Sequence, residues 1–478
     1  DAKLPHAKVI AIESDREFAL SVLQRIDEEL RRRGEMFRKL GVQDLAGYKK
    51  AGGTEPMPRS LLLIDEFQEF FVEDDAVAQG AALLLDRIVR QGRAFGIHVF
   101  LGSQTLGGAY TLARTTLGQM VIRIALQCNE ADAALIMDDG NTAARLLSRP
   151  GEGIYNDAAG AIEGNSPFQV VWLTDEERDA HLAKVAQLAQ ERGFGAKKPI
   201  VFEGNMPADV RDNALLANVL ATPATKPPAD PKCWLGLPNA IKGPTEALFP
   251  RQSGRHLLLI GQNDEAIAAI IGLAILTLAA QHPRERLPKF YLIHGALAGT
   301  AECEFLENVA QGRAKVSQGH EAAEFIAEIH AEMKRRADEG SAGDPPVFLL
   351  VHGLQKFRKL RYEEDFSFGG DDTPKPGNHL NEIIAEGPPL GIHLITSLDT
   401  LNNLNRSLSR KAVSELGMRV LFQMSANDSA SLIDSPKAGA LGLHRALFYS
   451  EHESRLETFR PFALPEPGWV EQIKTTAI

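Results

Sequence analysis

Six residues, Leu61-Leu62-Leu63-Ile64-Asp65-Glu66, join four consecutive apolar side chains to two adjacent carboxylates. An apolar run of that length reads as a strand buried on both faces of a parallel sheet. Such a strand delivers the residues after it to the sheet's carboxyl edge, where ligands bind. Two acids there can divide the work of a phosphoryl transfer: Asp65 holds Mg²⁺ directly or through its water shell, and Glu66 orients and deprotonates an attacking water. A second run, Gly96-Ile97-His98-Val99-Phe100-Leu101-Gly102-Ser103-Gln104, ends on an amide. If the two strands are neighbours, Gln104 can hydrogen-bond a terminal phosphate or the attacking water. Each run alone has a plainer reading, as a buried strand closing on a solvated acidic turn and as an ordinary strand-end amide.

The surrounding elements favour the chemical reading. Residues 15–40 carry apolar side chains on one face and charges elsewhere, which predicts a long amphipathic helix, interrupted at Gly34 and ended by Gly41. Helical and strand patterns then alternate: 61–64 as strand, 76–92 as helix, 97–101 and 120–127 as strands. That rhythm predicts an α/β fold with a mostly parallel, doubly covered sheet. Residues 201–231 are rich in Pro and Ala and read as a linker between a first domain at 1–200 and a second at 232–478. The 14-residue apolar run 267–280 is too short for a bilayer span and reads as a buried helix.

The second half repeats the first. Leu61 to Gln68 aligns with Phe348 to Gln355, and Gly96-Ile97-His98-Val99 with Gly391-Ile392-His393-Leu394. Arg123, Gln127, Asp132 and Asp138 align without a gap on Arg419, Gln423, Asp428 and Asp434. Shared strands could arise by chance, but shared Gly-Ile-His, Arg and Asp positions in one order read as a duplicated fold. His98 and His393 fall at equivalent strand positions and read as structural. In the second copy the chemistry is gone: Asp65-Glu66 becomes His352-Gly353 and Gln104 becomes Asp399. Its phosphate-loop position, His256 to Ala268, ends in Ala266-Ile267-Ala268 where Gly-Lys-Ser/Thr is needed, and Asp264 and Glu265 add negative charge.

Five stretches carry a resemblance to a known family. Gly41-Val42-Gln43-Asp44-Leu45-Ala46-Gly47-Tyr48, Leu63 to Phe67, Arg93 to Thr105, Ile122 to Gln127 and Leu146 to Gly151 come in the order and spacing of the FtsK/SpoIIIE motor domain. The resemblance spans about residues 4–175 and implies two tandem RecA-like (P-loop NTPase) units. It assigns Asp65 to Mg²⁺ as the Walker B acid, Glu66 as catalytic base and Gln104 as sensor. Arg123, Arg145 and Arg149 are candidates to reach a phosphate of ATP on a neighbouring subunit, Arg123 and Arg149 being the favoured pair, against the plainer reading of arginines paired with acids or a sheet edge. The family's Walker A precedes these motifs and is absent here, so an upstream Walker A-bearing segment is expected to complete the first unit. The Arg-Pro usual after the sensor is Thr105-Leu106, and Arg114 is the only basic residue of the following loop, 107–119.

The resemblance further implies ATP and Mg²⁺ as cofactors and a homo-oligomeric ring, a hexamer in this family. The cargo is duplex DNA or a secreted polypeptide. DNA translocation is the first reading, with the second unit an inactive regulator. The alternatives are a type VII secretion ATPase of EccC type, whose degenerate unit docks a peptide or partner, and a non-catalytic scaffold. The net charge of −11 excludes a surface that binds nucleic acid throughout, though not a basic pore, and only 17 residues follow Pro461, too few for a DNA-reading module. Cys128, Cys233 and Cys303 lack metal-ligand spacing and read as the thiols of a reduced, cytoplasmic chain, with any membrane anchor lying outside it. Arg31-Arg32-Arg33 reads as a solvated helix face, and residues 363–376 as a surface insertion.

Overall fold

A computed structural model describes residues 4–12, 15–106, 114–194, 199–341, 343–363 and 375–477. The expected insertion at 363–376 lies almost wholly outside them, as does the first half of the 107–119 loop. The chain forms two compact units, Asp1–Gly204 and Asn205–Ile478.

The second unit shows the complete architecture. Its ten strands are β8 (Lys232–Pro238), β9 (Thr245–Leu248), β10 (Leu257–Ile260), β11 (Lys289–His294), β12 (Ala314–Ser317), β13 (Val347–His352), β14 (Ile392–Leu398), β15 (Met418–Leu421), β16 (Ala446–Ser450) and β17 (Arg455–Pro461), and they join one sheet in the order β12-β11-β13-β14-β10-β15-β16-β17-β8-β9. From β12 to β15 every pairing is parallel, and beyond β15 every pairing is antiparallel. β10 lies at the centre, with Leu259 registered on both Ser397 and Val420. The helix Asp264–Ala280 covers one face and is apolar around its whole circumference, so Ala266 to Ala279 are all buried. Beneath it lie Leu257, Leu259, Phe348, Leu350, Ile395, Met418, Val420 and Phe422.

The first unit repeats these elements in pieces. β2 (Ser60–Ile64) pairs in parallel with β3 (Ile97–Leu101), while β4 (Arg123–Leu126), β5 (Glu152–Asn156) and β6 (Asn165–Gln169) form a separate antiparallel sheet. β1 (Val9–Ala11) pairs only with β7 (Ile200–Phe202). Among the described residues no strand joins β3 to β4, although their counterparts β14 and β15 are both bonded to β10.

Two sequence expectations change. The first helix runs unbroken from Arg16 to Leu40, closed by Gly41 at φ 65°. Gly34 does not interrupt it, because that position faces the Phe95 ring, 3.6 Å from where a β-carbon would stand. The stretch 201–231 is also more than a tether: Phe202 stacks on Phe18 at 4.0 Å, and a helix at Ala214–Ala221 buries Leu216 in the core of the second unit. The apolar Ala214-Leu215-Leu216 segment outweighs the flanking prolines. No helix of the described residues is long and apolar enough to cross a membrane.

Candidate active site

The parallel register Ile64↔Leu101 brings the carboxyl ends of β2 and β3 together. Gly102 N–H donates to Ile64 O at 2.8 Å, and Phe67 N–H donates to Gly102 O at 3.2 Å, so the two strand ends are laced into one edge. Asp65 is exposed there and Glu66 half-buried. A β-carbon on Gly102 would stand 2.9 Å from Asp65 Oδ1, so glycine keeps that carboxylate clear. Glu66 sits at φ 51°, ψ 47°, the left-handed region that costs an L-residue about 1–2 kcal/mol. The equivalent Gly353 has φ 76°, ψ 57°. The turn therefore needs a left-handed residue in both units, and only the first keeps a carboxylate on it.

Glu66 is held by partners that sequence reading missed. Gln68 Nε2 donates to Glu66 Oε2, and Ser103 Oγ donates to Gln68 Oε1 at 2.5 Å. Gln104 approaches through its backbone, N–H to Glu66 Oε2 at 3.4 Å, while its side chain is exposed. Gln68 was visible in the repeat, as Gln355, but nothing in its spacing assigned it to the acid. The next residues along are fixed by Asp132, whose Oδ1 accepts from Thr105 Oγ1 at 3.1 Å and from Leu106 N–H at 2.9 Å.

The arginines are not brought to this edge. Arg123 donates to Met120 O at 3.1 Å, to Ile136 O at 3.1 Å, to Met137 O and, at 3.4 Å, to Leu117 O, so its guanidinium closes the end of the helix Glu130–Ile136. Its counterpart Arg419 does the same with Leu416 O, Leu432 O and Val413 O. Burial pushes the pKa of both guanidinium groups down. Arg123 is thereby a structural clamp rather than a free phosphate ligand. Arg145 pairs with Glu130 at 2.6 Å, and Arg149 is 82% exposed with Glu152 at 3.9 Å. Of the three, Arg149 is the most exposed, with Arg145 next at 51%.

Among curated proteins, the chain is 30% identical over 182 residues to the ESX-5 secretion system protein EccC5 of Mycobacterium marinum. It is 25% identical over 185 residues to the DNA translocase FtsK of Streptococcus agalactiae. Each match involves 36% of this chain and spans only 12% and 21% of the relatives' own length. No family model matches. Of solved structures, the cytoplasmic domain of the type VII secretion ATPase EccC from Thermomonospora curvata superposes on 100% of this chain and 59% of its own, with TM-score 0.63 at 18% identity. ATPases 2 and 3 of the same protein, in complex with a signal sequence peptide, cover 97% of this chain and 80% of their own, with TM-score 0.56 at 15% identity. Over about a third of its length the chain is thus similar in sequence to P-loop ATPases of the FtsK–HerA superfamily, and over its whole length it shares the fold of one of them.

Within that superfamily fold, the second unit's phosphate-loop position is sealed by its own residues. Gly261 N–H donates to Leu398 O at 3.0 Å, and Asn263 Oδ1 accepts Ala266 N–H at 3.1 Å. The helix N-terminus that would receive a phosphate is thus capped internally. Asp264 and Glu265 fill its first turn with negative charge. At the acid position, His352 is buried, and desolvation lowers its pKa to about 4. Ser397 replaces Gly102, and its Oγ takes the Gly353 N–H at 2.8 Å. Nothing in this donor set fits Mg²⁺ or a triphosphate. In the first unit the exposed carboxylate of Asp65 and the space beside Gly102 do fit a hard, oxygen-seeking cation.

Proposed function

We propose that this chain is part of an EccC-like secretion ATPase whose first unit hydrolyses ATP and whose second unit is an inert docking or regulatory platform. One observation carries the reading. Leu61, Leu63, Phe100, Ile122, Ile124 and Leu126 are 42–65% exposed in the first unit. By the internal repeat they correspond to Phe348, Leu350, Ile395, Met418, Val420 and Phe422, each at most 2% exposed beneath the Asp264–Ala280 helix. His98, exposed in the first unit, corresponds to His393, whose Nδ1 bonds Arg255 O just ahead of β10 at 2.9 Å. The first unit thus presents a sheet face made to receive a strand, a loop and a helix of the β10 kind. The occupant is a strand–loop–helix from residues outside 1–478, carrying the phosphate loop. Between β3 and β4 it would bring its loop to the edge where Asp65, Glu66 and Gln104 stand.

The roles then follow from this chain's own groups. Mg²⁺, when bound, neutralises charge on the transferring phosphoryl group, and Asp65 would hold it. Glu66, oriented by Gln68 and Ser103, accepts the proton of the attacking water. Gln104 lies on the same edge and is suited to sense the terminal phosphate. Arg149 is available to a neighbouring subunit in a ring.

Secretion is favoured over DNA pumping, the first reading of the sequence, because the secretion ATPase EccC spans both units of this chain in one superposition. In sequence the EccC5 and FtsK matches each reach 36% of the chain, at 30% and 25% identity. The test is ATP turnover by the chain extended through its upstream segment, with Glu66→Gln as control, in the presence of duplex DNA or of a helical secretion-signal peptide. Turnover that needs Glu66 and responds to peptide supports the proposal. Stimulation by DNA alone returns the DNA-pump reading, and turnover indifferent to Glu66 overturns the site.

A further inference from the structure

We infer that the second unit holds a zinc ion between His294, Cys303 and Glu307. His294 closes β11 at the carboxyl edge of the sheet, and Cys303 and Glu307 lie one turn apart on the helix Ala301–Ala310. One donor atom from each falls within 4.8 Å of the others. Cys303 Sγ is 3.6 Å from Glu307 Oε1, and His294 Nε2 is 3.8 Å from the same oxygen. Tetrahedral zinc with bonds of about 2.0–2.3 Å sets its ligands about 3.4–3.5 Å apart, so two of the three edges need to close by only a few tenths of an ångström.

An independent feature points to a missing ligand. His294 is fully buried, and neither ring nitrogen has a hydrogen-bond partner. A buried imidazole without a partner is costly, and no other polar group of the described protein reaches it at hydrogen-bond distance. The buried Cys303 thiol is already aimed at the same carboxylate, donating to Glu307 Oε1. A divalent ion satisfies all three groups at once.

The donor set chooses the metal. A thiolate excludes Mg²⁺ and Ca²⁺, while one sulfur, one imidazole and one carboxylate suit redox-inert zinc, with water in the fourth position. The Glu307 side chain is half exposed, which leaves an entry path from solvent, and Gln318 Nε2 donates to Glu307 Oε1 at 2.9 Å as an orienting partner. Binding replaces the Cys303 S–H bond by an S–Zn bond and releases that proton to solvent, with no change of oxidation state. The ion would fasten the Ala301–Ala310 helix to the end of β11. That strand is the neighbour of β13, which ends on His352 where the first unit has its Mg²⁺ acid. The inert unit would thus keep a cation at this edge in a structural role.

The test uses the chain 1–478, stripped with a chelator and titrated with Zn²⁺ against a chromophoric competitor. A parallel Co²⁺ titration is followed by absorption. One zinc per chain is expected, with a thiolate-to-cobalt charge-transfer band. Cys303→Ser removes the band and weakens zinc at least about tenfold, and Glu307→Gln, at a half-exposed side chain that leaves folding intact, also weakens zinc about tenfold. Cys128→Ser retains both signals. Zinc uptake equal in wild type, Cys303→Ser and Glu307→Gln, or a cobalt spectrum without the thiolate band, overturns the assignment.

Discussion

Replacing one leucine in each half of the repeat tests whether the first unit has an uncovered face. Leu63 and Leu350 occupy the same position, but Leu63 is 65% exposed and Leu350 is fully buried. Burying a leucine is worth about 2 kcal/mol, so the third of Leu63 already covered contributes about 0.7 kcal/mol. Leu63→Asp in the chain 1–478 should therefore cost about 1 kcal/mol or less. Leu350→Asp loses the whole burial, leaves a cavity and strands a carboxylate among Leu257, Leu259 and Ile395. Its expected cost is at least about 4 kcal/mol. Amide hydrogen exchange separates the two units by peptide: protection across 347–352 should collapse in Leu350→Asp, while that across 60–64 should barely change in Leu63→Asp. In a chain extended by its upstream segment the balance reverses for Leu63. The remaining two thirds of the side chain, about 1.3 kcal/mol, becomes buried, and the introduced charge must be desolvated. ATP turnover should then fall by more than about tenfold. If Leu63→Asp unfolds 1–478 as readily as Leu350→Asp, the face is already covered, and the docking argument is wrong.

Other outcomes follow from the same structure. Glu66→Gly should be more stable than Glu66→Ala by about 0.5–1 kcal/mol, because only glycine relieves the left-handed turn. Urea midpoints of the two variants measure this, and equal midpoints would remove the strain argument. Arg419→Met should destabilise the second unit by about 2–4 kcal/mol, since three carbonyls lose a charged donor, and Arg419→Lys should not restore it. Arg149→Ala should leave the urea midpoint unmoved. Acid should weaken both units. Glu29 is held at about pKa 2 chiefly by Arg32 and then Arg33, and Glu332 at about 2 chiefly by Arg335 and then Arg336. These folded values lie below the unfolded one, so the stabilisation is complete above about pH 4.5 and is lost as the pH falls towards 2, about 1 kcal/mol for each once solvent screening is allowed for. His256, lowered to about 4 by desolvation, is buried neutral, so the second unit should already lose stability as the pH drops below about 6.5. Thermal unfolding from pH 8 to 3 reads both steps.

The strands and the acid pair were legible because parallel-sheet strands are unbroken apolar runs, and because the two copies confirmed each other. The buried arginines were not. Arg33 looked like one of three solvated cations, yet it is 0% exposed and donates to Glu29, Phe95 O and Ser60. Arg336 donates to Glu332, Leu390 O and Pro345 O in the same way. Periodicity could not mark these positions, because a long side chain can carry its charge through an apolar face to carbonyls from distant loops. The signal was nonetheless present, as the shared spacing Glu29-x-x-x-Arg33 and Glu332-x-x-x-Arg336. Arg123 misled for the opposite reason. An arginine aligned between two ATPase-like units suggests phosphate, but its counterpart Arg419 sits in a unit without the acid pair, which already argued for a structural task.

On the proposed reading, that contrast explains how an inert copy can persist. The interactions that shape the fold are duplicated: the Glu–Arg pair on the long helix that precedes the acid strand, the arginine clamp on the strand after the sensor, and the left-handed turn after the acid strand. Those that perform chemistry differ one by one, Asp65 to His352, Glu66 to Gly353, Gly102 to Ser397. Two of these changes in the second unit satisfy a local demand: Gly353 removes backbone strain, and Ser397 accepts the Gly353 N–H. The second unit is also the one whose sheet is whole. The first unit retains a strained acid and an uncovered apolar face, two costs that make sense only if a further strand, loop and helix arrive to use them. On the proposed reading, stability and chemistry are divided between two copies of one fold, and the uncovered face marks where the first copy is completed.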